Sequence, residues 1–190
     1  VKRLKFARKP IVAAVRGHVL GGGAEIALQS TRIVAAAQTY MGLPEVGVGL
    51  LPAGGGLAEL ADRIYRQDDS RFDKKQKLLA LFNTVAYGQA SKHAQHAREL
   101  GFLRTEDIIV ANERYLLQTA LSMVQMLNQA GHISATNIHY QALGQDFKAV
   151  VSGLVKNWRI GGYVTGFEQE LANRIADVLA GGELPLGVEI

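Results

Sequence analysis

The 190-residue sequence predicts an α/β fold on three observations. The first half alternates short β-branched runs with glycine clusters, and the second half carries the 3.6-residue period of helices. One stretch of the first half reads strand, glycine turn, helix, strand, which is a βαβ-like unit.

The elements follow in order. Residues 10–15, Pro-Ile-Val-Ala-Ala-Val, read as a buried strand that leads into a turn at Arg16-Gly17-His18. Gly21-Gly22-Gly23 then makes a tight loop at the start of a helix over residues 24–29, with Ile26 and Ala27 facing inward. Residues 32–37 form a second short strand. From Gly42 to Gly56, glycine and proline punctuate the chain so densely that a long loop, ordered or disordered, is expected. Helical periodicity returns with Leu57, Leu60, Ala61 and Ile64 on one face, and a charged stretch over residues 66–77 separates the halves. Thr105 can N-cap a helix with Glu106 and Asp107 in its first turn, an apolar face of Leu117, Leu121 and Val124, and a stop near Gly131. Thr165 with Glu168 has capping-box form, ahead of a packing stripe of Phe167, Leu171, Ile175 and Leu179 that Gly181-Gly182 terminates.

Composition removes several classes of function. Hydrophobic residues make up 48% of the chain, enough for a sizeable core. The chain has no cysteine, which excludes a disulfide scaffold, a thiolate metal site and a cysteine nucleophile, and makes the cytoplasm the expected location. Five of the 21 basic residues, Lys2, Arg3, Lys5, Arg8 and Lys9, precede Pro10, and the remaining 16 are balanced by 17 acidic ones. That basic edge lacks interleaved aromatic residues, so no nucleic-acid partner is expected. No stretch approaches the roughly 20 apolar residues of a membrane span. The sequence opens on Val1 inside an apparently structured segment, which points to processing or to a piece of a longer protein.

Familiar motifs are missing. Gly47-Val48-Gly49-Leu50-Leu51 meets Pro52 where a dinucleotide fingerprint needs its third glycine, and Gly21-Gly22-Gly23 lacks the Lys-Ser/Thr of a phosphate loop. His93 and His96 lie three apart without an acidic third ligand, so they read as structural and no metal is expected. What remains is a triple glycine at a helix start, Glu25 in that helix's first turn, and Glu45 in the proline- and glycine-rich segment. N–H groups at a helix start have no intrahelical acceptor and can stabilise a developing oxyanion. A nearby carboxylate can move protons at a carbon next to an activated carbonyl, and a second one separates acid from base. On chemistry alone, the same residues read equally as a tight turn followed by a solvated glutamate.

The segment Lys9-Pro10-Ile11-Val12-Ala13-Ala14-Val15-Arg16-Gly17-His18-Val19-Leu20-Gly21-Gly22-Gly23-Ala24-Glu25-Ile26-Ala27-Leu28 closely resembles the signature of the enoyl-CoA hydratase/isomerase, or crotonase, superfamily. The run from Gly42-Leu43-Pro44-Glu45 through Val46-Gly47-Val48-Gly49-Leu50-Leu51-Pro52-Ala53-Gly54-Gly55-Gly56 resembles the same family's second catalytic segment. The fold that this implies is an incomplete crotonase-like ββα-spiral core over residues 1–66, with a mostly helical extension of the same domain over 67–190. By the resemblance, the N–H of Gly22 forms half of an oxyanion hole, and Glu25 and Glu45 are the catalytic pair. Glu45 would protonate the α-carbon while Glu25 holds and activates water. The resemblance also implies substrate contacts at Gly21 and Gly23, and at Leu43, Pro44, Pro52, Ala53 and Gly54. Such a fixed donor contributes about 2.7–4 kcal/mol to the transition state. Where the family commonly has glycine this chain has Ala53, so the contact there needs a conventional φ.

Residues 66–74, the run Ala94-Gln95-His96-Ala97-Arg98-Glu99-Leu100-Gly101-Phe102-Leu103 and the tail around Gly161 to Gly166 look like the hydratase part of fused 3-hydroxyacyl-CoA dehydrogenase/enoyl-CoA hydratase proteins. The implied activity is hydration of 2-enoyl-CoA thioesters in fatty-acid β-oxidation by a homo-oligomeric multifunctional enzyme. Coenzyme A enters with the substrate, no further cofactor is expected in this chain, and NAD is expected for a dehydrogenase part outside it. The family's second oxyanion donor lies upstream, so this chain alone is expected to be nearly inactive. Δ3,Δ2-enoyl-CoA isomerisation using Glu45 alone, and a noncatalytic assembly module, are the alternatives.

Overall fold

A computed structural model describes residues 1–136, 140–182 and 184, and these divide into two compact units. The first comprises Val1–Leu43, Pro52–Gly56 and Gln89–Asn137, and the second Pro44–Leu51, Leu57–Gly88 and Ile138–Ile190.

In the first unit a short helix α1 (Lys2–Lys5) precedes β1 (Val12–Leu20), α2 (Gly22–Leu28) and β2 (Arg32–Gly42). β1 and β2 pair in parallel, as a helical crossover permits, and the expected βαβ unit is present. Both strands are longer than the sequence indicates. The Arg16-Gly17-His18 segment continues β1 rather than turning, with Gly17 at φ 62. Between Val15 and Gly17 the register slips, because β1 advances from Val15 to Gly17 while β2 advances from Ala35 to Thr39. Thr39 is buried there, and its one hydroxyl hydrogen goes to the carbonyl of Ala36 at 2.7 Å, with that of Val15 at 3.3 Å as a weaker second acceptor.

Ile33, Val34, Ala35 and Ala36 are all buried, as expected of a strand covered on both faces. α5 (Ala94–Glu99) and a third parallel strand, β3 (Ile108–Val110), precede α6 (Leu116–Gln129). The expected helix from Thr105 does not form. Asp107 is buried, and its carboxylate accepts from the N–H of Ile33 at 2.7 Å and from that of Arg104 at 2.7 Å, stapling the chain into β3. α6 consequently starts eleven residues after Thr105, and it packs Leu116, Ala120 and Met123 on Val34. Leu117 and Leu121 are exposed, which reverses the expected apolar face.

In the second unit α3 continues from Gly56 (Gly56–Tyr65), followed by α4 (Arg71–Ala86), α7 (Gly144–Ile160) and α8 (Gly166–Ala180). α3 buries Leu57, Leu60 and Ala61 as its periodicity requires. α4 begins inside the charged stretch, where Ser70 accepts from the N–H of Asp73 as N-cap. Phe82, Phe147, Val151, Ile175 and Leu179 are fully buried among these helices. Tyr65 stacks on Tyr140 at 4.3 Å, and its hydroxyl donates to Leu179 O and accepts from Leu143 N–H. Burial pushes the Tyr65 phenol up to about 12, so it stays a donor throughout the physiological range. Trp158 stacks on Phe82 at 5.9 Å and leans on Tyr87 at 5.0 Å.

The capping box at α8 is complete. Thr165 Oγ1 accepts from Glu168 N–H, the Glu168 carboxylate accepts from Thr165 N–H at 2.7 Å, and Gly181 closes the helix at φ 87. Hydrogen bonds from Thr165 to the carboxylate, the backbone N–H first and the side chain second, hold the Glu168 carboxyl below the usual glutamate range. A depressed carboxyl pKa stabilises the fold above the unfolded value, and that contribution disappears as pH falls through the folded value. Thermal midpoints of wild type and Glu168→Gln are therefore expected to converge as pH is lowered from about 6 to about 3.5, since glutamine caps without titrating. Leu171, Ile175 and Leu179 form the expected buried stripe, whereas Phe167 is 61% exposed and does not join it.

Candidate active site

In the first unit, β1 and β2 end side by side, where the N–H of Gly21 donates to the carbonyl of Gly42 at 3.0 Å. Gly21 takes φ 55 as the N-cap of α2, and its own carbonyl accepts from the N–H of Glu25. Gly22 and Gly23 are therefore the first helical residues, with N–H groups that have no acceptor within the helix. Both are exposed, neither has a positive φ, and a Cβ on either would meet nothing within 4 Å. Neither the chain's conformation nor its packing demands glycine at these two positions.

Glu25 lies one turn along, in the favourable first turn of α2, and is only 5% exposed. Its carboxylate is bound by the backbone of the 52–56 segment: Oε2 accepts from Gly54 N–H at 2.8 Å, and Oε1 accepts from Gly56 N–H at 3.0 Å. The solvated-glutamate reading thus fails. Glycine at positions 54 and 56 makes this approach possible. A Cβ at Gly54 would collide with Oε2, and one at Gly56 would lie 2.8 Å from Cγ and 3.3 Å from Cα of Glu25. Gln29 holds the middle of the segment, donating to Gly55 O at 3.0 Å. Beside it Pro52 is buried and Ala53 exposed, and Ala53 keeps a negative φ, so alanine is unstrained there.

In the second unit the expected loop is an ordered 3-10 turn, Glu45–Val48, with Pro44 as its N-cap. Gly49 closes it at φ 75. Glu45 is half-buried, with one carboxylate oxygen shut off from solvent. Leu43, the last residue before this turn, is completely buried in the first unit. Glu25 and Glu45 thus belong to different units. His93 serves as N-cap of α5, accepting from His96 N–H at 3.0 Å, and His96 accepts from Lys92 N–H. Among the described residues no group of three or more histidine, aspartate or glutamate side chains is placed to hold a metal. Gly56, as an amide donor to Glu25, was not singled out by sequence reasoning, and the only textual signal for it is the third glycine of Gly54-Gly55-Gly56.

The profile of the enoyl-CoA hydratase/isomerase family matches residues 1–152. The chain belongs to that family. It is 35% identical over 188 residues to a Bacillus subtilis protein named a probable 3-hydroxyacyl-CoA dehydrogenase, covering 99% of this chain and 23% of that one. Over 60 residues, 32% of this chain and 23% of the relative, it is 43% identical to the short-chain-enoyl-CoA hydratase of Clostridium acetobutylicum. The crystal structure of enoyl-CoA hydratase from Bacillus anthracis shares the crotonase fold at a TM-score of 0.50 and 21% identity, covering 91% of this chain and 54% of that one. The match thus spans about a quarter of the length of each of these two curated relatives and about half of that hydratase. The family's description and the hydratases among its relatives support hydratase-type chemistry. No helix among the described residues is long and apolar enough to cross a membrane.

Proposed function

We propose that the chain is the hydratase part of a multifunctional β-oxidation enzyme, adding water across the double bond of 2-enoyl-CoA thioesters. The observation that carries this reading is the Glu25 carboxylate, buried and fixed by two backbone N–H groups, one turn from glycines whose missing side chains leave space that nothing in the chain uses. Water addition places a hydroxyl on the β-carbon and a proton on the α-carbon, with negative charge developing on the thioester oxygen between the two events. The N–H of Gly22 faces that oxygen in this reading, and space at Gly22 and Gly23 admits the thioester to the backbone. Glu25 takes a proton from water and Glu45 delivers one to the α-carbon. Coenzyme A arrives with the substrate. The match of nearly the whole chain within a quarter of a protein named for 3-hydroxyacyl-CoA dehydrogenase supports a fused architecture, in which NAD serves the dehydrogenase part. In this chain's own Gly47–Pro52 run, Pro52 stands where a dinucleotide site needs its third glycine.

The test is hydration of a four-carbon 2-enoyl-CoA by the polypeptide that carries this sequence, followed as loss of the conjugated thioester absorbance. Wild type is expected to turn over, and Glu45→Gln to lose about 10²-fold in kcat through loss of the proton donor. Equal rates for the two proteins overturn the reading.

A further inference from the structure

Two contacts within the second unit hold the Glu45 turn. At its start, Gly88 lies against Pro44, where a Cβ would come within 3.4 Å of Pro44 Cα and 3.5 Å of its carbonyl oxygen. At its end, Gly49 N–H donates to Val46 O at 3.0 Å, and Leu50 N–H returns to the Glu45 carbonyl at 3.0 Å. The ring of Phe167 sits over Gly49, its Cε1 3.3 Å from where a Cβ would stand. Phe167 breaks the rule of its own helix, since the rest of its stripe is buried and it is mostly exposed. The backbone that carries it is nonetheless fixed, because Phe167 lies between the two partners of the α8 capping box, Thr165 and Glu168. Exposed apolar side chains at Val48 (75%) and Leu50 (60%) flank the same glycine. An aromatic ring that contributes little to the core, carried on a capped helix start and set against the left-handed residue that closes a turn, is placed to act on the turn.

We propose that Phe167 is a positioning residue for Glu45: its ring seats on Gly49, keeps the 3-10 turn closed, and so fixes the direction of the Glu45 carboxyl for proton delivery. This rests on the role given to Glu45 above, and the test separates the two.

Phe167→Ala and Phe167→Leu are compared with wild type. In the 190-residue chain, amide exchange at Gly49 and Leu50 is expected to accelerate about tenfold or more in Phe167→Ala and to return to within roughly threefold of wild type in Phe167→Leu, with exchange at Ile175 unchanged. In the polypeptide that carries this sequence, kcat for hydration is expected to fall about tenfold in Phe167→Ala with KM within roughly threefold, and to recover in Phe167→Leu. Unchanged exchange at Gly49 and Leu50, or acceleration spread equally along α8, overturns the proposal. Exchange that responds as expected while Glu45→Gln hydrates at the wild-type rate overturns the role of Glu45 instead, and leaves Phe167 as the residue that closes the turn.

Discussion

Replacing Gly56 by alanine is expected to destabilise the protein by about 3 kcal/mol and to abolish hydration with it. The added methyl would sit 2.8 Å from Glu25 Cγ, 3.2 Å from Leu28 Cδ1 and 3.3 Å from Glu25 Cα. A side-chain terminus could swing away, but Cα is backbone and Leu28 is completely buried, so α2 itself must move. Overpacking of this kind costs about 1–3 kcal/mol. The shift also loosens the Gly56 N–H bond to a charged acceptor, worth about 1.5–3 kcal/mol. Alanine's better helix propensity returns at most about 1 kcal/mol, and less at the first residue of a helix, so the loss dominates. Gly22→Ala and Gly23→Ala provide the contrast. Each finds open space and an ordinary φ, so thermal midpoints should hold or rise slightly while hydration falls, because the methyl would occupy room that the proposed function gives to the thioester. Melting curves and hydration rates on the three variants check both halves.

Glu25→Gln is expected to reduce hydration by about 10³-fold, within the usual range for loss of an acid–base group, while sparing any Δ3,Δ2-isomerisation, which in the alternative reading uses Glu45 alone. The substitution removes the charge and also confronts donor with donor. Both carboxylate oxygens accept backbone N–H groups, and glutamine can present its carbonyl oxygen to only one of them. Its NH₂ therefore faces either Gly54 or Gly56, leaving a buried donor without an acceptor at a cost of about 1–3 kcal/mol. A lowered melting midpoint accompanied by retained isomerisation is the expected pair of results. Equal loss of both reactions would mean that Glu25 acts through the loop it holds rather than on water.

What the sequence made legible was local. The capping box at Thr165 and Glu168 and the stop at Gly181 lie within one helix and depend on no distant partner, and α8 has both. The βαβ order of β1, α2 and β2 followed from glycine and β-branched residues in short windows. Asp107 misled for the opposite reason. Beside Thr105 and Glu106 it looks like the first turn of a helix, and its actual acceptor role toward Ile33 spans 74 residues of chain. In sequence β2 ends at Ala37 because polar Gln38 and Thr39 interrupt its apolar run, whereas pairing resumes at Thr39 after a slip in register. At the site, the motif residues could be found by their order, but the burial of Glu25 could not. It depends on glycines 29 and 31 residues away that read, in sequence, only as punctuation. Phe167 fitted the helical period and was assigned to the core, yet a period specifies a face of the helix and does not say how far along that face the cover extends.

The packing of Trp158 against Phe82 and Tyr87 has a practical consequence for separating the two units. It is the sole tryptophan of the chain, and all three rings belong to the second unit. Red-edge excitation therefore produces emission from the helical unit alone, whereas far-ultraviolet ellipticity sums over both. A denaturant titration read in the two signals together assigns each transition to a unit without any label being introduced, and a variant such as Gly56→Ala can be placed on one side or the other by which curve it displaces.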